Sequence, residues 1–148
     1  MSEQQQAAVL DQYKLYVEMA DRVSARRSLA NTFFLSVNTA AASIGGWLNA
    51  SLPGRPKSTL TILLFVLLTQ TATWYAILRS YRQLSSAKFR VIGALEEGLP
   101  ASPYWRAEWK ALGSGTDKRL YWPMTRLEQW VPAAFAIAYI SLFITAVA

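Results

Sequence analysis

Any chemistry in this chain falls to hydroxyls, amides, carboxylates and arginines, because its 148 residues include no Cys and no His. The first absence removes thiolate and disulfide chemistry. The second removes the usual general base and the commonest metal ligand. The carboxylates do not make up for this. Glu96 and Glu97 are adjacent, so on a helix they point about 100° apart rather than converging as an acid/base pair. No Ser-His-Asp set and no GxxxxGK[ST] loop occurs, and the GSG at 113–115 reads as a flexible turn. The sequence therefore implies no enzyme, no cofactor and no bound metal.

Two groups of residues carry a pattern. In Leu29–Leu48, Thr32, Ser36, Thr39, Ser43 and Gly46 follow steps of four, three, four and three, which is one line along a helix. Asn31, Asn38 and Gly45 form an adjoining line, in a stretch with no charged residue. Such a face meets protein or water rather than lipid, so it is either a helix-packing seam or the wall of a pore. The candidate pore-lining residues are Asn31, Ser36, Asn38, Thr39 and Ser43. The second group is basic: Arg79, Arg82, Lys88 and Arg90 lie on one amphipathic stretch. They serve as topology signals and ion-pair partners for Glu18 and Asp21, or as a surface for a cytoplasmic protein, a nucleotide or, less favoured, nucleic acid.

The elements that position these residues are membrane spans. Leu29–Leu48, Thr59–Leu78 and Val131–Ala148 are charge-free blocks long enough to cross a bilayer as helices. Of the 15 Lys and Arg, four precede the first block, two lie between the first and second, nine lie between the second and third, and none follows. This places the N-terminus and the 79–130 segment in the cytoplasm and the 49–58 loop and C-terminus outside. The first apolar block follows about thirty polar or amphipathic residues and exceeds the core of a secretory signal, so none is expected.

The expected order is a cytoplasmic helix over 2–28, a first span over 29–48, an outer loop over 49–58 and a second span over 59–78. A cytoplasmic helix over 79–98, an aromatic and basic segment over 99–130 and a third span over 131–148 follow. Ser2 and Gln5 form a capping box, and Val9, Tyr13, Tyr16, Ala20 and Val23 mark a seam on a helix that runs unbroken into the first span. Beyond the second span, Ile77, Tyr81, Leu84, Val91 and Leu95 mark a seam that Lys88 interrupts, and Gly98-Leu99-Pro100 ends that helix. Residues 103–110 form a short helix, Thr125 and Glu128 a second capping box, and Pro132 kinks the last helix. In the second span Gln70 needs a partner on another span or in a wet lumen. The fold class is an all-α integral membrane protein of three transmembrane helices with long cytoplasmic extensions. Its unpaired seams call for a homo-oligomer that meets membrane lipid.

The stretches YKLYVEMADRVSARRSLANTFFLSVNTA (13–40), RSYRQLSSAKFRVIGALEEGLP (79–100) and EW…LEQWVPAAF together resemble the RipA-type family of small bacterial octameric membrane proteins. The resemblance implies an inner-membrane homo-octamer associated with bacterial stress or antiphage defence, and it carries over no catalytic residue. The expected function is an oligomeric inner-membrane pore or membrane-perturbing effector. The alternative is an oligomeric scaffold or sensor that recruits a partner through the basic helix.

Overall fold

The computed structural model describes residues 2–51, 56–113 and 124–147, with the side chains of 49, 50 and 124–126 left aside. Among the described residues the α-helices are α1 (Glu3–Ser51), α2 (Lys57–Glu96), α3 (Trp109–Ala111) and α4 (Met124–Val147). A π-helical segment, Pro103–Glu108, leads directly into α3, where the sequence predicts one short regular helix. The tip of the outer loop, the GSGTDKR turn after Gly113 and the Thr125 capping side chain lie outside the described residues.

Two compact units divide the chain: Met1–Arg27 with Ser80–Met124, and Ser28–Arg79 with Thr125–Ala148. In the first, α1 starts at the predicted box. Gln5 N–H donates to Ser2 Oγ at 3.3 Å and Ser2 N–H to Gln5 Oε1 at 3.0 Å, which satisfies backbone donors that no preceding turn can reach. Val9, Tyr13, Tyr16 and Val23 are half-buried and Ala20 is buried, as their spacing predicts.

The facing seam on α2 is rotated from the expected one. Leu84 and Val91 are exposed (45% and 39%), while Ser85, Ile92 and Glu96 are buried. The most apolar line of this helix is thus not its inward line. The inward line carries Glu96, whose carboxylate has four donors waiting for it. Helix α2 ends there through tightened bonds, Gly98 N–H to Leu95 O and Leu99 N–H to Glu96 O, both 3.1 Å.

In the second unit, α1, α2 and α4 each contribute a stretch of about 35 Å, more than the roughly 30 Å of a bilayer core. Among the described residues, α2 and the Leu127–Val147 part of α4 are long and apolar enough to cross a membrane. The α1 stretch falls short of the same measure because Asn31 and Asn38 offset its leucines and phenylalanines. The unit's interior holds Trp74, Leu78, Tyr139 and Pro132, with Pro132 inside α4 and the helix continuing through it.

Candidate functional site

Within the second unit, the two asparagines of α1 turn inward. Asn38 is fully buried, and its amide is satisfied at both ends. Its Nδ2 donates to Phe34 O one turn back at 2.8 Å, and its Oδ1 accepts from the Tyr139 hydroxyl at 2.9 Å. The single Tyr139 proton is shared with Asn38 O at 3.0 Å. Asn31 Oδ1 accepts from Trp74 Nε1 at 3.1 Å. These two bonds tie α1 to α4 and to α2, and an aromatic row binds the same three helices. Phe34 stacks on Trp74 at 6.0 Å, Trp74 meets Phe135 at 5.9 Å, and Phe135 meets Tyr139 at 6.1 Å. Each such pair adds about 0.5–1.5 kcal/mol beyond its buried area.

The expected lining set therefore divides. Asn38 and the Oδ1 of Asn31 have their polar atoms bonded inside the unit, to Phe34, Tyr139 and Trp74, which fits a packing seam. Ser36, Thr39 and Ser43, with Thr32, are exposed and lie about a third of a turn away on the same helix. Ser43 Oγ donates back to Thr39 O at 2.9 Å, so this hydroxyl is satisfied without any neighbour. Gln70 is half-buried in a cleft beside Phe34 and Thr73, and within the described residues it makes no hydrogen bond.

In the first unit, the node is Glu96, a residue to which the sequence assigns no role. Its carboxylate is 1% exposed and accepts four hydrogen bonds. Oε1 takes Tyr13 Oη and Tyr104 N–H, both at 3.1 Å; Oε2 takes Ser102 Oγ at 2.6 Å and Trp105 N–H at 2.9 Å. Burial alone pushes this carboxyl up, but the bonds from Ser102, Trp105, Tyr104 and Tyr13 prevail and hold it below its ordinary value. Burial, followed by the bond to and the charge of Glu96, pushes Tyr13 up to about 12. The carboxylate caps the free N–H groups that open the π-helical segment and fastens that segment to α1 and α2. The only forewarning in the sequence is Ser102-Pro103, a helix start six residues beyond a glutamate. Trp105 lies flat over Gly93, where an added Cβ would come within 2.7 Å of the indole.

The basic candidates do not all share one face of α2: by helix spacing Lys88 stands apart from the three arginines. Arg79 and Arg90 are exposed and Arg82 is half-buried. The Lys88 ammonium lies 5.5 Å from the centre of the Tyr16 ring, about 160° round the helix from Arg90. The expected ion pairs from α2 to Glu18 do not form: Glu18 pairs with Arg22 on its own helix at 2.6 Å, an exposed bond worth a few tenths of a kcal/mol. Among the described residues no group of three carboxylates could hold a metal ion.

Searches of curated proteins and of solved structures each return no match. A family model described as "Octameric membrane protein family (8xMP)" matches residues 10–148. That match supports a membrane protein that associates with itself, the kind of family that the resemblance implies, and lends nothing to the narrower RipA-type name. With the match running from α1 through α4, the chain belongs to the octameric membrane protein family.

Proposed function

We propose that this protein is a homo-octameric pore or membrane-perturbing effector of the bacterial inner membrane, non-enzymatic and acting in antiphage defence or stress. The observation that carries the reading is the exposed hydroxyl line Thr32, Ser36, Thr39 and Ser43 on the charge-free 29–48 stretch of α1. In this reading α1, α2 and α4 all cross the bilayer, with the N-terminus cytoplasmic and the C-terminus outside. The internal pairing of Asn31 and Asn38 supports a crossing α1, because it removes the penalty that two free amides would incur in lipid. The Gln70 side chain, with no hydrogen-bond partner among the described residues, supports a neighbouring subunit or a wet path beside α2. Hydroxyls facing a central path would pass water and ions without strong charge selection.

The test is ion leakage from liposomes holding the purified oligomer, run with Ser36→Leu/Thr39→Leu/Ser43→Leu. Leakage abolished while the oligomer persists supports the lining; leakage unchanged places the path elsewhere. A second reading, a scaffold that recruits a cytoplasmic partner, is favoured by the outward Leu84, Phe89 and Val91 and the exposed Arg90 of the first unit. It predicts an intact oligomer without conductance and a salt-sensitive partner lost on Arg79→Glu/Arg90→Glu.

A further inference from the structure

In the second unit, the side walls of α1, α2 and α4 do not close. They leave an apolar cleft of 220 Å³ lined by residues including Gly45, Leu60, Leu64, Leu67, Tyr139 and Phe143. A Cβ added at Gly45 would meet nothing within 4 Å, so the trough has real width at its α1 wall. The Tyr139 hydroxyl is bonded to Asn38, and no other lining residue has a polar side chain, so the cleft offers little to hold water. It runs from Ala41 to Leu48 along α1, about 10 Å of helix rise. A void of this kind in a bilayer forfeits dispersion contacts that an acyl chain would restore.

The mouth of the cleft is charged. Lys57 stands one turn before Leu60 on the stripe Lys57, Leu60, Leu64 and Leu67, and its Nζ donates to Val147 O of α4 at 3.3 Å. That bond uses one of three ammonium protons and holds the cation at the rim. A second copy of this chain offers no acidic side chain there: no Asp or Glu occurs between Asp21 and Glu96, and none after Glu128. A lipid phosphate is an anion that fits such a cation at a membrane surface.

We propose that the cleft is a glycerophospholipid site, with one acyl chain lying between α1, α2 and α4 and the phosphate held by Lys57. The proposal rests on all three helices crossing the bilayer and is independent of whether the oligomer conducts. The phosphate would belong to the leaflet at the end that the charge distribution puts outside.

The full-length oligomer is purified in detergent as wild type, Gly45→Phe and Lys57→Gln, and phospholipid retained per protomer is measured by mass spectrometry. Gly45→Phe puts a ring into the trough from a position where a Cβ meets nothing within 4 Å, and Lys57→Gln removes the cation alone. Wild type is expected to retain lipid and to gain thermal stability from added phosphatidylglycerol but not from diacylglycerol of the same chains. Each variant is expected to bind phosphatidylglycerol about tenfold more weakly, the loss of roughly one charge-assisted contact or of the acyl seat. Equal retention by all three proteins overturns the site, as does equal stabilisation by diacylglycerol.

A benzophenone on Leu63→Cys, the chain's sole thiol, reports the occupant. A lipid adduct supports the proposal, and an adduct with a second copy overturns it. If that cysteine labels from water, the crossing itself is wrong; if it is protected but no lipid is bound, only the lipid site fails.

Discussion

The Asn38–Tyr139 bond separates a packing role from a lining role, and the two partners predict unequal costs. In Asn38→Leu, the Tyr139 hydroxyl loses Oδ1 at 2.9 Å but keeps the main-chain oxygen of residue 38 at 3.0 Å. No buried donor is stranded, so the cost is that of one interhelical bond in a membrane, about 1 kcal/mol. In Tyr139→Phe, the buried Asn38 Oδ1 loses its donor with nothing in reach to replace it, which costs about 2 kcal/mol. The double variant removes both partners and strands no acceptor, so it should cost no more than Asn38→Leu alone, about 1 kcal/mol, and the cycle returns a coupling of about 2 kcal/mol. The assay is unfolding of the purified protein in mixed micelles followed by circular dichroism, with liposome leakage measured on the same four proteins. Leakage should persist wherever the oligomer persists. The reasoning fails if Asn38→Leu leaves stability untouched while abolishing leakage, because Asn38 would then touch the path after all. It fails equally if Tyr139→Phe costs nothing.

The first unit yields further expectations. Glu96→Gln keeps the shape but sets an amide NH₂ against two of the four donors; about 3 kcal/mol should be lost, read as faster hydrogen exchange at Tyr104 and Trp105. Because the Glu96 carboxyl is held below its ordinary 4.5, its contribution is complete above that value and lost as pH falls through the lowered one. Tyr13, raised to about 12, contributes fully below 10.0 and loses that contribution as pH rises toward 12. Near-ultraviolet dichroism should therefore stay flat from about pH 5 to about 9 and change on both sides; a change near neutrality would refute the assignment. Two helical glycines should respond oppositely. Gly93→Ala drives the Trp105 indole off its seat and costs about 1 kcal/mol net, whereas Gly45→Ala enters open space and gains about 0.5–1 kcal/mol. Effects of the same sign in thermal unfolding would contradict that contrast. Glu18→Gln, at an exposed pair, should change stability by less than about 0.5 kcal/mol.

What the sequence made legible was local. The Ser2–Gln5 box, the unbroken α1 and its inward seam depend on residues three or four apart, and the structure has them where the spacing put them. The α2 seam was not legible, because its burial is decided by Tyr13, Ser102, Tyr104 and Trp105. Those donors converge on Glu96 only in three dimensions, and one of them lies 83 residues away. Hydrophobicity favoured Leu84 and Val91 for the interior, yet a carboxylate with four donors is worth more inside than a leucine whose outer face can meet another subunit. The asparagines posed the same difficulty. In the sequence Asn31 and Asn38 are candidates for a lining as much as Ser36 and Thr39, and only the bonds to Trp74 and Tyr139, 43 and 101 residues away, tell them apart.

That sorting bears on how a pore could open. An amide can donate to its own preceding turn, as Asn38 Nδ2 does to Phe34 O, but its Oδ1 still needs a donor from elsewhere, so a face of asparagines would lock into whichever arrangement supplied one. A hydroxyl on a helix satisfies its own proton on the preceding turn, as Ser43 does on Thr39 O. Its oxygen can then face a subunit, a lipid chain or water without leaving an unpaired donor. In the proposed pore, a line of Thr32, Ser36, Thr39 and Ser43 bonded in the way Ser43 is would turn from a dry packed interface to a wetted wall at small cost. Replacing that line with asparagines should fix one state. Ser36→Asn/Ser43→Asn is expected to give either constant leakage or none, with no response to any condition that switches the wild type. A variant that still switches like the wild type would show that the hydroxyl line is not the moving surface.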